Sequence, residues 1–275
     1  RPTRRDLLRW SALIAGAAAT AQFGIRETAA APARQDAPIV EGAEIVVPFD
    51  AYGQEITLDP HRSSDYGGFW VMYPNVWGGL LRYDEMGRVA LDLAERAVRS
   101  RDGLKYTFTI RDGATYASGN PVIASDFIAS WNRALDPANL SPMVAFMEPL
   151  KGYAEWIGGD SSAQLGMSAT DDRTVVVELA APLTYFPSFM ASFIWAVVDP
   201  AVLEATGDEN FVLNGAGTGP WQFTEYERNT QFVMEPNPNY YDPPSPSITR
   251  IVWPVLDGPD AASAALAKYQ DENAA

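Results

Sequence analysis

The acids are the first candidates for chemistry. Asp171 and Asp172 are adjacent, and Asp102 and Asp112 flank one short segment. Paired carboxylates can divide the acid and base roles of glycoside hydrolysis. Each of these four sits beside a turn signal, and the sequence ties none of them to an apolar pocket that would raise its pKa. They read as solvated turn residues. Asp199 and Asp257 read as loop acids in the same way. The single histidine, His61, lies in "LDPHRSS". A Ser-His-Asp triad would have to use it, and a metal site would have it as the only imidazole. Among turn formers it reads as a polar turn residue. The chain has no cysteine, which excludes disulfides, thiolate nucleophiles, Cys-ligated metals and lipid attachment at a Cys. With no phosphate-cradling glycine loop either, the sequence calls for no cofactor and no metal.

Composition narrows the partners. The 275 residues carry a formal net charge of -15, with 47% hydrophobic residues to build a core. So acidic a chain lacks the clustered Lys and Arg that phosphates need, so nucleic acid is excluded as an expected partner. Adsorption to an anionic membrane surface is disfavoured for the same reason.

The first 33 residues read as an export leader. Arg4 and Arg5 form a twin-arginine pair within "TRRDLLRWSALIAGAAATAQFG". A weakly apolar Ala/Gly run follows from Trp10 to Phe23, and "ETAAAPA" then offers small-residue cleavage sites. The apolar run is short and Ala-rich for a membrane span. Residues 34–43 read as a linker.

Beyond the linker, strands and helices mix without a βαβ rhythm, which predicts a mixed α+β or α/β class. "AEIVVPF" (43–49) has strand length and β-branched content. "FWVMYPNVWGGLLRYD" (69–84) reads as a buried helix leading into a strand. Tyr106, Phe108 and Ile110 alternate with Lys105, Thr107 and Thr109 between two Asp-Gly turns, which predicts a half-buried strand in a meander. After "ASGNP", Ser125 or Asp126 can cap a helix that presents Phe127, Ile128, Trp131, Ala134 and Leu135 on one face and ends at Asp136-Pro137. "LTYFPSFMASFIWAVV" (183–198) reads as one buried helix interrupted by Pro187. Two strands around "ERNT" (227–230) and a further strand at 247–255 follow. Residues 260–275 read as the start of a helix.

The order of motifs resembles the extracytoplasmic solute-binding proteins of peptide-type ABC transporters, the oligopeptide-, dipeptide- and nickel-binding group called family 5. The likeness rests on Leu58–His61, on Gly79–Asp84, on "LAE" (93–95) and on "S-x-DGL-x-YTF-x-IRDGA" (100–114). It continues through Tyr116, Ser118, Gly119, Pro121, Val122, Ala124, Asp126 and Phe127, then "SW-x-R-ALDP" (130–137) and 165–179. "TGP" (218–220) and "NPNYYD" (237–242) complete it. Trp221 stands where the family usually has Tyr, and Tyr241 where it usually has Trp.

The resemblance implies a type II binding fold of two hinged lobes, with this chain supplying a periplasmic-binding-protein-like first lobe. Residues 44–78 and 198–257 would form its core, 79–197 an inserted α+β subdomain, and 258–275 the start of a crossover to a second lobe that is missing here. It implies a non-enzymatic receptor, outside the cytoplasm, that carries peptides to the permease subunits of an ABC importer. Export would use the twin-arginine machinery. The ligand-facing positions carried over are Ser63, Ser64, Asp65 and Tyr66 after the Asp-Pro-His element, Met143 after Ser141-Pro142, and Thr218 near the hinge. A nickel chelate or a sugar is the alternative ligand within the family. A hydrolase with paired carboxylates, or a sensor that signals to a partner, are the alternatives outside it.

Overall fold

The computed structural model describes residues 43–50, 56–63, 69–139, 141–242 and 248–256, and the single positions 263 and 267. The leader with Arg4 and Arg5, most of the linker and nearly all of the 258–275 segment lie outside the described residues.

Among the described residues the fold is mixed α/β, with a five-stranded and a four-stranded sheet, each covered by its own apolar cluster. In the first sheet, strands β1 (Glu44–Val46) and β2 (Phe49–Asp50) both run parallel to β11 (Arg250–Leu256), one after the other along it. The hairpin of β9 (Trp221–Glu227) and β10 (Gln231–Pro236) continues the sheet antiparallel, in the order β1-β11-β10-β9. The polar turn between them places Asn229 at φ 57, a backbone region that Asn tolerates better than most residues. Phe232, at the centre, stacks on Trp253 and meets Phe49 and Phe223 edge-on. Helix α1 (Phe69–Val76) leads into Trp77, and Met72, Tyr73, Val76 and Trp77 close this core.

The second sheet is antiparallel, in the order β5 (Ala94–Arg99), β6 (Lys105–Ile110), β8 (Thr174–Glu178), β7 (Met167–Asp171). The alternation in β6 is obeyed: Tyr106, Phe108 and Ile110 are buried. Tyr106 faces Val177 across the ladder and Phe108 faces Val175, so apolar residues pair on one face. The sheet departs from a simple meander, because the second neighbour of β6 arrives more than sixty residues later. Between them lies the 12-residue helix α2 (Ala124–Leu135), packed over β7 and β8, with Phe127, Trp131, Ala134 and Leu135 buried. Its cap differs from expectation. Ile123 is the boundary residue, and Asp126, three residues on, reaches back to accept from the Ile123 N–H at 3.0 Å. A small hairpin, β3 (Leu81–Tyr83) with β4 (Val89–Leu91), lies beside this sheet.

Residues 183–198 do not form one helix. Two short helices precede this region or lie within it, α3 (Tyr153–Ile157) and α4 (Phe186–Met190). In α4, Pro187 sits in the first turn, where its missing N–H costs nothing, so it starts the helix instead of breaking it. A 3₁₀ turn (Phe193–Trp195) and an extended stretch follow. This lets Trp195 meet Trp131 edge-on at 5.1 Å while Phe193 and Ala196 join the other core.

Candidate functional site

The positions carried over as ligand-facing begin where a pinned segment ends. Three aromatic side chains hold the backbone of residues 56–58. Tyr226 donates to the Ile56 carbonyl at 2.7 Å, Tyr73 to that of Thr57, and Trp77 Nε1 to that of Leu58 at 3.1 Å. Asp59 then folds the chain, its Oδ1 accepting from the His61 N–H at 2.9 Å. Ser63, the next of the predicted positions, is fully buried. Ser64, Asp65 and Tyr66 lie outside the described residues.

His61 is in a turn, as its neighbours in sequence require, but it is fully buried and not a surface residue. Its Nδ1 accepts from Arg133 at 3.1 Å, which leaves Nε2 as the donor to the Ala196 carbonyl at 3.2 Å. Burial is the main reason that its pKa falls from 6.5 to about 4; the Arg133 charge adds to the fall, while Asp59 and the Ala196 carbonyl oppose it. The imidazole is therefore neutral at pH 7. Both ring nitrogens are occupied by structural partners, so the residue is not poised as a general base.

Met143 is half-buried and packs against both apolar clusters. Thr218 is buried, and its Oγ1 accepts from the Gly78 N–H at 3.1 Å. Thr218 belongs to a close crossing between the clusters. A Cβ on Gly217 would lie 2.3 Å from the Val76 carbonyl oxygen, and one on Gly219 2.3 Å from that of Asn75. These glycines are present because backbone meets backbone there.

The other motifs gather along the same seam. Ser118 Oγ and Asn120 Nδ2 donate to Asp199 Oδ2 at 2.7 and 2.8 Å. Asp199 Oδ1 caps helix α5 (Pro200–Thr206) by accepting from the Ala201 and Val202 N–H groups. Asp199 is thus a buried cap and not a loop acid. Asn237 Nδ2 donates to the Gly219 carbonyl at 2.8 Å, and Asn239 Nδ2 to that of Ala117 at 2.9 Å. Tyr241 donates to Asp92 Oδ1 at 2.9 Å, with the Arg111 guanidinium 3.7 Å above its ring. Burial pushes the Asp92 carboxyl up, opposed by Arg82 and by the Tyr241 hydroxyl.

The turn acids look different. Asp102 is held below the usual carboxylate range chiefly by the Ser100 hydroxyl, and Asp171 by the Arg173 N–H. Both are exposed and ionised, without the raised pKa of a general acid. Asp257 lies outside the described residues. Among the described residues, no three His, Cys, Asp or Glu side chains gather to hold a metal, and no helix is long and apolar enough to cross a membrane.

Residues 88–271 match the family described as bacterial extracellular solute-binding proteins, family 5. The chain belongs to that family. A dipeptide-binding protein of Lactococcus lactis is 33% identical over 208 residues, which are 71% of this chain and 36% of that protein. The periplasmic murein peptide-binding protein MppA of Escherichia coli is 30% identical over 210 residues, 75% of this chain and 39% of its own. A probable deoxycholate-binding periplasmic protein, YgiS, of the same organism is 29% identical over 212 residues, 73% of this chain and 38% of that protein. Among solved structures, unliganded open MppA superposes with a TM-score of 0.74 at 28% identity, covering 84% of this chain and 44% of that one. Haemophilus influenzae OppA in complex with the peptide RPPGFSPFR superposes at 0.75 and 26%, covering 86% and 45%. This family 5 chain thus spans less than half the length of the relatives and structures that it matches.

Proposed function

We propose that this chain supplies one wall of the binding cleft of an extracytoplasmic peptide receptor, which delivers its ligand to the membrane subunits of an ABC importer. The observation that carries this reading is the 33% identity to a dipeptide-binding protein across most of the chain. Binding needs a shaped cleft with main-chain hydrogen bonders and a few polar anchors, and no reacting group. In this reading Ser64, Asp65 and Tyr66 face the ligand, buried Ser63 anchors the start of that segment, and Met143 lines the same wall. Thr218, with its hydroxyl turned inward on Gly78, acts by holding the crossing closed. Residues 44–78 and 198–257 form the lobe core, and 79–197 the inserted subdomain. Arg4 and Arg5 send the chain out of the cytoplasm through the twin-arginine machinery, with residues 1–33 as the leader.

The likeness to a probable deoxycholate-binding protein favours a second reading, the same receptor role with a non-peptide ligand. A thermal-shift screen of the protein expressed from its complete reading frame, without residues 1–33, separates the two. A ligand that binds only the folded state raises the Tm. A shift with mixed di- to hexapeptides supports the peptide reading. A shift only with bile salts, sugars or nickel chelates overturns it in favour of the second.

A further inference from the structure

Two of the predicted ligand-facing segments are some eighty residues apart in sequence, and one charge network joins them. Arg133, on the last turn of α2, grips Asp59 with both terminal nitrogens, at 3.0 and 2.6 Å. The same guanidinium donates to His61 Nδ1 at 3.1 Å and to Asp208 Oδ1 at 2.9 Å, and lies 5.1 Å from the centre of the Phe211 ring. Arg62 takes the other oxygen of Asp208 at 2.6 Å, and its Nε donates to Asn139 Oδ1 at 2.6 Å. The turn that leads to Ser63 is therefore tied to the stretch carrying Asn139, Ser141 and Met143. The ties run through Arg133 on one side and Arg62 on the other.

Such a network is a poor source of net stability. Burying Arg133 against Asp59 costs desolvation that an apolar pair would not incur. Arg62 keeps 39% of its side chain exposed, so its pairing with Asp208 is screened by water. What two planar forks do supply is direction: each guanidinium accepts only one orientation of its partners. An apolar contact would hold the segments together without fixing where they sit.

We propose that Arg62 is a positioning residue of the binding wall, fixing the Asp59–Ser63 turn, which Arg133 grips, against the stretch that carries Asn139 and Met143. The claim that this sets affinity rests on the peptide-receptor reading; the mechanical claim does not.

The test uses Arg62→Gln, Asn139→Ala and Asn139→Asp. The aspartate keeps an acceptor for Arg62 and also removes the Asn139 Nδ2 group, which is buried without a partner. Hydrogen exchange is followed by mass spectrometry, and peptide affinity by titration calorimetry on the protein from the complete reading frame. In Arg62→Gln and Asn139→Ala, amides of the 136–147 region exchange roughly tenfold faster, while the β9–β10 hairpin and the urea midpoint stay unchanged. Peptide Kd weakens about threefold to tenfold, as expected when a contact group must be immobilised on binding. Asn139→Asp restores both readouts. Unchanged exchange in the two disrupting variants overturns the proposal, and so does an Asn139→Asp variant that exchanges like Asn139→Ala. Faster exchange with unchanged Kd overturns the claim that the network sets affinity. A wild-type protein that binds no peptide defeats the peptide-receptor reading, and the exchange data still decide the positioning of the turn.

Discussion

His61 gives the most quantitative prediction. In the folded protein it is enclosed and neutral, with a pKa of about 4 against 6.5 for a free imidazole. The unfolded chain begins to take up this proton near pH 6.5, and the folded chain only near pH 4. The stability that the neutral ring contributes is therefore complete above about pH 6.5, is lost as the pH falls towards 4, and changes little below that. At about 1.4 kcal/mol per pH unit, the gap corresponds to about 3 kcal/mol. Asp92 and Asp126, both pushed up by burial, contribute in the opposite sense, because their folded forms bind protons more readily than the unfolded chain. A comparison of wild type with His61→Gln cancels them, since both proteins keep these acids. Glutamine keeps an N–H donor for the Ala196 carbonyl but cannot take up a proton. Urea unfolding at several pH values between 7.5 and 4 is the assay. Wild type is the more stable protein at pH 7, and its advantage shrinks by about 2–3 kcal/mol on approaching pH 4. Parallel pH profiles would refute the reasoning.

Three further substitutions probe the seam, and a fourth, at Gly87, serves as the comparison for one of them. Asp199→Ala removes the cap of α5 and leaves Ser118 and Asn120 without their acceptor. It costs about 2–4 kcal/mol in urea unfolding, and a cost near zero contradicts the seam. Gly219→Ala drives a Cβ into the Asn75 backbone and costs more than about 2 kcal/mol. Gly87→Ala, at φ +70 with nothing near it, costs only about 1–2 kcal/mol, and the reverse order would rule out close approach as the cause. Tyr241→Phe withdraws the hydroxyl from buried Asp92 and destabilises by about 1–3 kcal/mol at pH 7; an unchanged urea midpoint would show that the hydroxyl is dispensable.

Local patterns were legible in the sequence wherever the physics is local. The alternation of Tyr106, Phe108 and Ile110 reports a one-sided sheet, and the spacing of Phe127, Trp131 and Leu135 a helix with one buried face. The fate of the polar residues depended on partners far along the chain. His61 read as a polar turn residue and does sit in a turn, but its burial was not legible because Arg133 and Ala196 are 72 and 135 residues away. Asp199 looked like a loop acid, although an Asp before a Pro is a helix-start signal and could have been read as a cap. The segment 183–198 looked like one helix because uniform apolarity hides periodicity; burial on two different cores bends it. The ordered motifs marked the family. The structure places those of them that it describes, such as Ser118, Asn237 and Tyr241, on the seam between the two apolar clusters.

The central claim is that a peptide lies against this wall. The direct measurement is photo-crosslinking with a benzophenone-bearing peptide from the thermal-shift screen, with the attachment sites mapped by mass spectrometry. Crosslinks are expected within residues 64–66 and at Met143, abolished by an excess of unlabelled peptide. Crosslinks that fall elsewhere, or that unlabelled peptide does not displace, would contradict it.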